Sequence, residues 1–303
     1  MGTPEFGTIY DPGVLAGKRI LVTGGGTGLG RGVSRYLVEH GAEVHIWGRR
    51  AAVLEEAVAE ISQNRPGSAH FQSVDVRDAD AVDAAVAEIW EQHGPLTGLI
   101  NNAAANFIAQ TKDISARAFN AVTSTVMNGS FNTTHAVGRR WIADGLPGSV
   151  VSTLTTWVWS GSAFVVPSAM AKTAVHAMTM SLAAEWGKYG IRLNAIAAGP
   201  IPTEYAWSML NPTEKSATGG STSSENVPLQ RFGTMEELAN LNIFLLSDAC
   251  NYLTGATIPM DGGQQLAGPG TFASLSTLTD EDWAEIRETS KAASAASKAQ
   301  RSV

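Results

Sequence analysis

Apolar runs rich in β-branched residues alternate along the chain with stretches whose apolar positions recur every three to four residues. "RILVTG" (19–24) leads into a helical pattern through "GRGVSRYLVEHG", and "EVHIWGR" (43–49) into "AAVLEEAVAEISQN". "FQSVDV" (71–76) precedes "DADAVDAAVAEIWEQHG", and "GLINNAA" (98–104) precedes "SARAFNAVTSTVMNGSFNTTHAVGRRWIA". The series closes with "SVVSTL" (149–154), a long helix from about Ser168 to Tyr189, "RLNAIAAG" (192–199), "MEELANLNIFLLS" (235–247) and "ATIPMDGG" (256–263). Short strands separated by helices of this length require right-handed crossovers and a parallel sheet covered on both faces. The expected fold is α/β: a doubly wound parallel sheet, Rossmann-like, in a single domain, with ligands beyond the carboxyl ends of its strands.

Two regions depart from the alternation. Residues 202–233 are polar and rich in Gly, Ser and Pro, and a loop of that length inside a compact domain reads as a substrate lid. Residues 268–303 read as a C-terminal extension, a short capped helix followed by a weakly ordered Ala/Ser/Lys end. The main domain is expected over 15–267, preceded by an extension, 1–14, whose first residues resemble a cloning remnant.

Composition narrows the function classes. With 303 residues, 44% of them hydrophobic, the chain can bury a sizeable core. No apolar run approaches the roughly 18 residues of a membrane span, and no signal-like segment stands at the N-terminus, so a cytoplasmic protein is expected. The one cysteine, Cys250, excludes an internal disulfide, and a net charge of −7 argues against nucleic acid as the main partner. The six histidines (40, 45, 70, 93, 135, 176) show no ligand spacing and no carboxylate cluster beside them. All six read as surface or packing residues, and no metal is expected.

Candidate chemistry begins at "LVTGGGTGLGRG", where Gly24, Gly28 and Gly30 form T-G-x3-G-x-G around Thr27 and Leu29. A glycine-rich turn by itself is also an ordinary structural device. Between a strand and a helix, the missing side chains let backbone amides reach a diphosphate. "WGRR" then places Arg49 and Arg50, and no acid, at the end of the second strand. A carboxylate there would accept from a 2′-hydroxyl, whereas a guanidinium matches a 2′-phosphate, so the expected cofactor is NADPH. Asp75 and Val76, at the end of the third strand, are expected to flank the adenine.

The pattern "TGGGTGLG", "NNAA" (101–104), Asn128, Lys172 and "AAGPI" (197–201) resembles the short-chain dehydrogenase/reductase superfamily, in order from about residue 15 to 265. "NNAAANF", "NGSF", "GSAFVVPSAMAK", "SLAAEWGKYGIRLNAIAAGPI", "RFGTMEELANL" and "LTDEDWAEI" resemble 2,4-dienoyl-CoA reductases, the mitochondrial type above all. The resemblance implies a homotetramer in fatty acid metabolism that uses NADPH to reduce conjugated acyl-CoA thioesters. It implies cofactor contacts from Asn102, Ala103, Ala104, Lys172, Pro200 and Ile201, and substrate contacts from Asn106, Phe107, Trp157 and Ser168.

The likeness fails at the proton donor. The superfamily's tyrosine, four residues before the lysine, is Ser168 here, as in the mitochondrial reductases. The tyrosine those enzymes carry farther upstream falls at Trp157, and the acid of the peroxisomal type has no counterpart among Thr125, Val126 and Met127. Ketone reduction creates an alkoxide that needs an acid as it forms. Conjugate reduction instead spreads charge onto a thioester oxygen, which fixed donors can stabilise while water protonates carbon.

The catalytic set is therefore expected to be Asn128, Ser168 and Lys172. Ser168 can equally be a helix N-cap after Pro167, and Asn128 is expected to cap or kink its helix while also organising the site. His176, one turn beyond Lys172, reads as packing. Competing readings are a reductase of another carbonyl or activated alkene, and a catalytically silent NADPH-binding subunit. A donor from the lid, where Glu204, Tyr205 and Glu214 stand, also stays open.

Overall fold

In the computed structural model, described over residues 10–203, 224–267, 279–282 and 284, seven parallel strands pair side by side. They are β1 (Arg19–Thr23), β2 (Glu43–Gly48), β3 (Ala69–Ser73), β4 (Gly98–Asn101), β5 (Gly148–Thr155), β6 (Ile191–Ala198) and β7 (Thr257–Met260). The order across the sheet is β3-β2-β1-β4-β5-β6-β7. The order reverses between β1 and β4, and such a switch point opens a crevice above the carboxyl ends of the strands.

Helices cover both faces: α1 (Gly28–Glu39), α2 (Ala51–Ile61), α3 (Ala79–Gln92), α4 (Ala116–Thr123), α5 (Gly129–Asp144), α6 (Trp157–Ser160), α7 (Val166–Trp186) and α8 (Met235–Leu246); a short α9 (Gln264–Ala267) follows β7 in sequence. The period of two along a strand divides its side chains between the layers. Ile20, Val22, Val44 and Ile46 pack with Val33, Leu37, Leu54 and Leu238 of α1, α2 and α8. Leu21 and Trp47 point the other way, with Val82, Val86 and Ile89 of α3 and Trp141 of α5. A third cluster joins Val122, Val126, Ala171 and Val175 to Leu154 and Ala195.

The expected fold is present, with two local differences. The single helix expected over 115–143 is interrupted by a π-helical turn, Ser124–Asn128, between α4 and α5. At its start the hydroxyls of Thr123, Ser124 and Thr125 donate to the carbonyls of Phe119, Asn120 and Ala121 at 3.2, 2.5 and 2.9 Å. Gly129 then packs so closely on Val76 that an added Cβ would lie 2.5 Å from its Cγ2. Second, α7 begins at Val166 rather than near Ser168, because Pro167 is tolerated in a first turn whose N–H groups have no helical partner.

The chain divides into two compact units, residues 1–264 and 265–303. In the second, Thr279 caps a helical turn: its hydroxyl accepts from the Asp282 N–H at 3.3 Å, while the Asp282 carboxylate accepts from the Thr279 N–H at 2.8 Å. Most of the expected lid, with Glu204, Tyr205 and Glu214, lies outside the described residues, as does the end of the C-terminal extension. Among the described residues no helix is long and apolar enough to cross a membrane.

Candidate active site

The turn after β1 is held by close backbone approaches. Gly24 has φ +66°, and a Cβ there would come within 2.9 Å of Ala103 Cα; a Cβ on Gly30 would stand 2.4 Å from the Gly24 carbonyl oxygen. The 101–104 segment is tied to this turn. Asn102 Nδ2 donates to the carbonyls of Thr23 and Gly24 at 3.1 and 3.2 Å, and Thr23 Oγ1 accepts from the N–H groups of Asn102 and Ala103, both at 3.0 Å.

Gly28 differs from its neighbours. At φ +55°, an added Cβ would meet only Thr203 Oγ1, at 3.7 Å, among the described residues. It opens α1 behind the extended N-cap Thr27, whose side chain makes no cap bond, and the first turn holds no acid. Neither a cap nor a carboxylate competes there with an anion, and the helix terminus favours one. Leu29 anchors this turn against the core. The residues present fit a dinucleotide diphosphate.

Arg49 and Arg50 are both exposed, with Arg50 the N-cap of α2. Asp75 is clamped by Arg77, whose Nε lies 2.9 and 3.0 Å from the two carboxylate oxygens. That hydrogen bond, with the nearby charge of Arg49 a smaller cause, holds the carboxyl below its ordinary range. Val76 is buried, and its carbonyl accepts from Asn132 Nδ2 at 3.0 Å.

Lys172 is only 7% exposed on α7, and its Nζ donates to the Thr153 carbonyl of β5. Burial brings it from 10.5 down to about 8, because a low-dielectric setting disfavours the ammonium. Ser168, one turn earlier, is 3% exposed. It is not the N-cap: that is Val165, and Ser168 is the third helical residue, so the capping alternative is corrected. Asn128 ends the π-helical turn, exposed, its amide making no hydrogen bond among the described residues. No hydrogen bond joins Asn128, Ser168 and Lys172 to one another among those residues.

Thr155 was not singled out in the sequence. Its hydroxyl, at the carboxyl end of β5, is buried with no hydrogen-bond partner among the described residues. The available signal was a hydroxyl at the mouth of a buried strand, two residues beyond the carbonyl that receives Lys172. Of the five tyrosines, Tyr36 donates to Glu236, Tyr189 follows the far end of α7, Tyr252 is fully exposed and Tyr10 lies near the N-terminus. Tyr205 is outside the described residues.

Around this end, Trp157 opens α6, half-buried, and Phe107 packs against the Val122–Leu154 cluster. Asn106 Oδ1 turns back to accept from the Phe107 N–H at 2.9 Å. The Ala109 N–H donates to the Phe164 carbonyl at 2.9 Å, tying the 102–110 segment to the loop before α7. Phe164 sits there at φ +65°, a costly conformation for a bulky residue. Pro200 and Ile201 follow β6, the Pro200 carbonyl accepting from Gly233 at 3.1 Å. His176 bonds Thr257 at 2.8 Å, as a packing residue would.

The reading of the histidines is corrected in one respect. His45, His70 and His93, scattered in sequence, stand together with Glu43 at the opposite, amino-terminal end of the sheet. Strand register and the end of α3 assemble them, and neither leaves a spacing signal in the chain.

Comparison with known proteins adds the following. A family model described as Enoyl-(Acyl carrier protein) reductase matches residues 24–265. A Bacillus subtilis protein named probable 2,4-dienoyl-CoA reductase, (2E)-enoyl-CoA-producing, is 40% identical over 82% of this chain and 97% of its own length. A Caenorhabditis elegans protein named probable 2,4-dienoyl-CoA reductase, (3E)-enoyl-CoA-producing, is 39% identical over 84% of this chain and 82% of its own. The crystal structure of a short chain dehydrogenase from Bacillus anthracis superposes with a TM-score of 0.73 at 41% identity, covering 82% of this chain and 96% of that one.

Proposed function

Because the chain belongs to the short-chain dehydrogenase/reductase family of oxidoreductases, we propose that it reduces a 2,4-dienoyl or related unsaturated acyl-CoA thioester with NADPH. The reaction proceeds through an enolate that takes its proton from water. The observation that carries this reading is a buried ammonium, Lys172, on a helix whose residue four positions earlier is a serine rather than a phenol. The names of the two dienoyl-CoA reductase relatives point to the same substrate class.

The Gly24–Gly30 turn and the start of α1 would hold the cofactor's diphosphate, and Arg49 and Arg50 its 2′-phosphate. Asp75 and Val76 would flank the adenine. Asn102–Ala104, Pro200, Ile201 and Lys172 would surround the nicotinamide ribose. NADPH, bound there, supplies the hydride.

The chain's own residues do the rest. Lys172 brings a positive charge into a dry setting, where it is worth more than in water. The Asn128 amide and the Ser168 hydroxyl donate to the thioester oxygen or orient a water against it, and one such donor contributes about 10²–10³ in rate. Asn106, Phe107 and Trp157 wall the acyl group, an aromatic boundary suited to a flat conjugated chain.

The test is NADPH oxidation with 2,4-hexadienoyl-CoA, a simple 2-enoyl-CoA and a panel of ketones. Dienoyl-CoA turnover is expected, with ketones inert. Turnover of ketones alone would reject the thioester reading, and tight NADPH binding without any turnover would favour a silent subunit. Product analysis separates the (2E)- from the (3E)-enoyl outcome.

A further inference from the structure

The amino-terminal end of the sheet, remote from the strand ends that carry the candidate active site, assembles a donor set that the reductase reading does not use. Glu43 and His45 share one face of β2, since they are two residues apart in a strand. The parallel register pairs His45 with His70 of β3 and Glu43 with Arg19 of β1. His93 caps the C-terminus of α3 on that same face, its N–H donating to the Ile89 carbonyl at 2.9 Å. The three imidazoles crowd together with ring centroids 4.3–4.9 Å apart.

His45 Nε2 hydrogen-bonds Glu43 Oε1, while the wider spacing to His70 and His93 is that of a coordination polyhedron. From Glu43 Oε1, His45 Nε2 lies at 3.1 Å, His93 Nδ1 at 3.4 Å and His70 Nε2 at 3.7 Å. All four ligand atoms fall within 4.8 Å of one another. A tetrahedral zinc ion with bonds of about 2.0–2.1 Å has ligand–ligand edges of roughly 3.3–3.4 Å, and the three oxygen–nitrogen distances straddle that value.

Three imidazoles converging on one carboxylate oxygen offer more donors than a single anion can pair well. Arg19 fixes that carboxylate from behind, Nε to Oε1 at 3.0 Å and Nη2 to Oε2 at 2.9 Å. A carboxylate has about four lone-pair positions, so a metal bond remains open beside those contacts. A cleft of about 370 Å³ lined by His45, His70, His93 and Glu88 gives an ion a way in and adds a second negative charge.

We propose that Glu43, His45, His70 and His93 bind one divalent zinc ion per chain in a structural site that clamps the edge strand β3 to β2 and to the end of α3. Imidazole nitrogen with one carboxylate suits zinc and its first-row neighbours, whereas magnesium and calcium prefer all-oxygen shells. The site is remote from the hydride-transfer end, so its test does not depend on the proposed reaction.

Tag-free full-length protein stripped with chelator is titrated with Zn2+ by calorimetry and with Co2+ by visible absorption. One ion per chain, a tetrahedral cobalt spectrum and a rise in Tm on adding Zn2+ are expected. His70→Ala and His93→Ala, at partly exposed positions, should each weaken Zn2+ binding by about 10-fold or more and remove the cobalt spectrum. His135→Ala, on α5, should leave both unchanged. His93→Gln gives a second reading of the same ligand if alanine perturbs the fold. No saturable binding would overturn the proposal, and so would binding that survives both the His70 and His93 changes.

Discussion

At the scale of single residues, Lys172 concentrates the physics. Burial brings its pKa to about 8, so the ammonium is lost as pH rises through that value. We predict a turnover number that is level below pH 8 and falls above it, read from a pH–rate profile with saturating substrates. The same burial costs stability. The unfolded chain keeps its lysine protonated to about pH 10.5 while the folded one has released the proton, so the cost, of order 3 kcal/mol, is present below pH 8 and fades as pH rises toward 10.5. Lys172→Met should therefore lower turnover by about 100-fold or more yet raise the midpoint of urea unfolding at pH 7, with a smaller gain at pH 9.5. A midpoint that falls at pH 7 would contradict the desolvation argument. The lysine and the three glycines of the phosphate turn were legible because each sits in a local pattern. Thr155 was not, because an orphaned hydroxyl is defined by what surrounds it.

At the scale of elements, alternation located every strand, and boundaries moved at both ends, as where β3 runs from Ala69 to Ser73 and β4 stops at Asn101. The π-helical turn at 124–128 was hidden because three successive hydroxyl residues look like any polar helix face until they bond backward. The β2–α2 turn carries a prediction of its own. Arg49 and Arg50 stand exposed, and Asp75, near Arg49, is already paired with Arg77, which leaves the guanidiniums to a 2′-phosphate. The double change Arg49→Glu with Arg50→Glu should lower kcat/KM for NADPH by at least about 10-fold, the worth of one charge-assisted hydrogen bond, while NADH is unaffected or improved. Equal losses with both cofactors would assign the pair a structural role instead.

At the scale of the whole molecule, several large apolar side chains are exposed on two helical segments. Met127, Phe131 and His135 lie four residues apart along the π turn and α5, with Phe131 53% exposed and stacked on His135. On α7, Met170 and Met180 are also exposed, on a helix apolar nearly all round, as helices buried on every side are. We predict that these stripes are buried in the homotetramer that the family resemblance implies. Light scattering should give four chains per particle, and Phe131→Glu with Met180→Glu should release smaller species. A monomer in the unaltered protein would refute the assembly.

Contiguous residues encode the order of strands and helices, a glycine-rich turn at the start of α1, and a lysine on a helix without its usual phenol. Local periodicity and backbone sterics act over a few residues, so they can be read along the chain. Which distant groups meet is set by the packing of the folded chain. Parallel register set His45 beside His70, the end of α3 brought His93 to Glu43, and the packing of α7 against β5 buried the Lys172 ammonium on the Thr153 carbonyl. Those meetings follow from crossover geometry and close packing, which join residues far apart in sequence and leave no trace in local spacing.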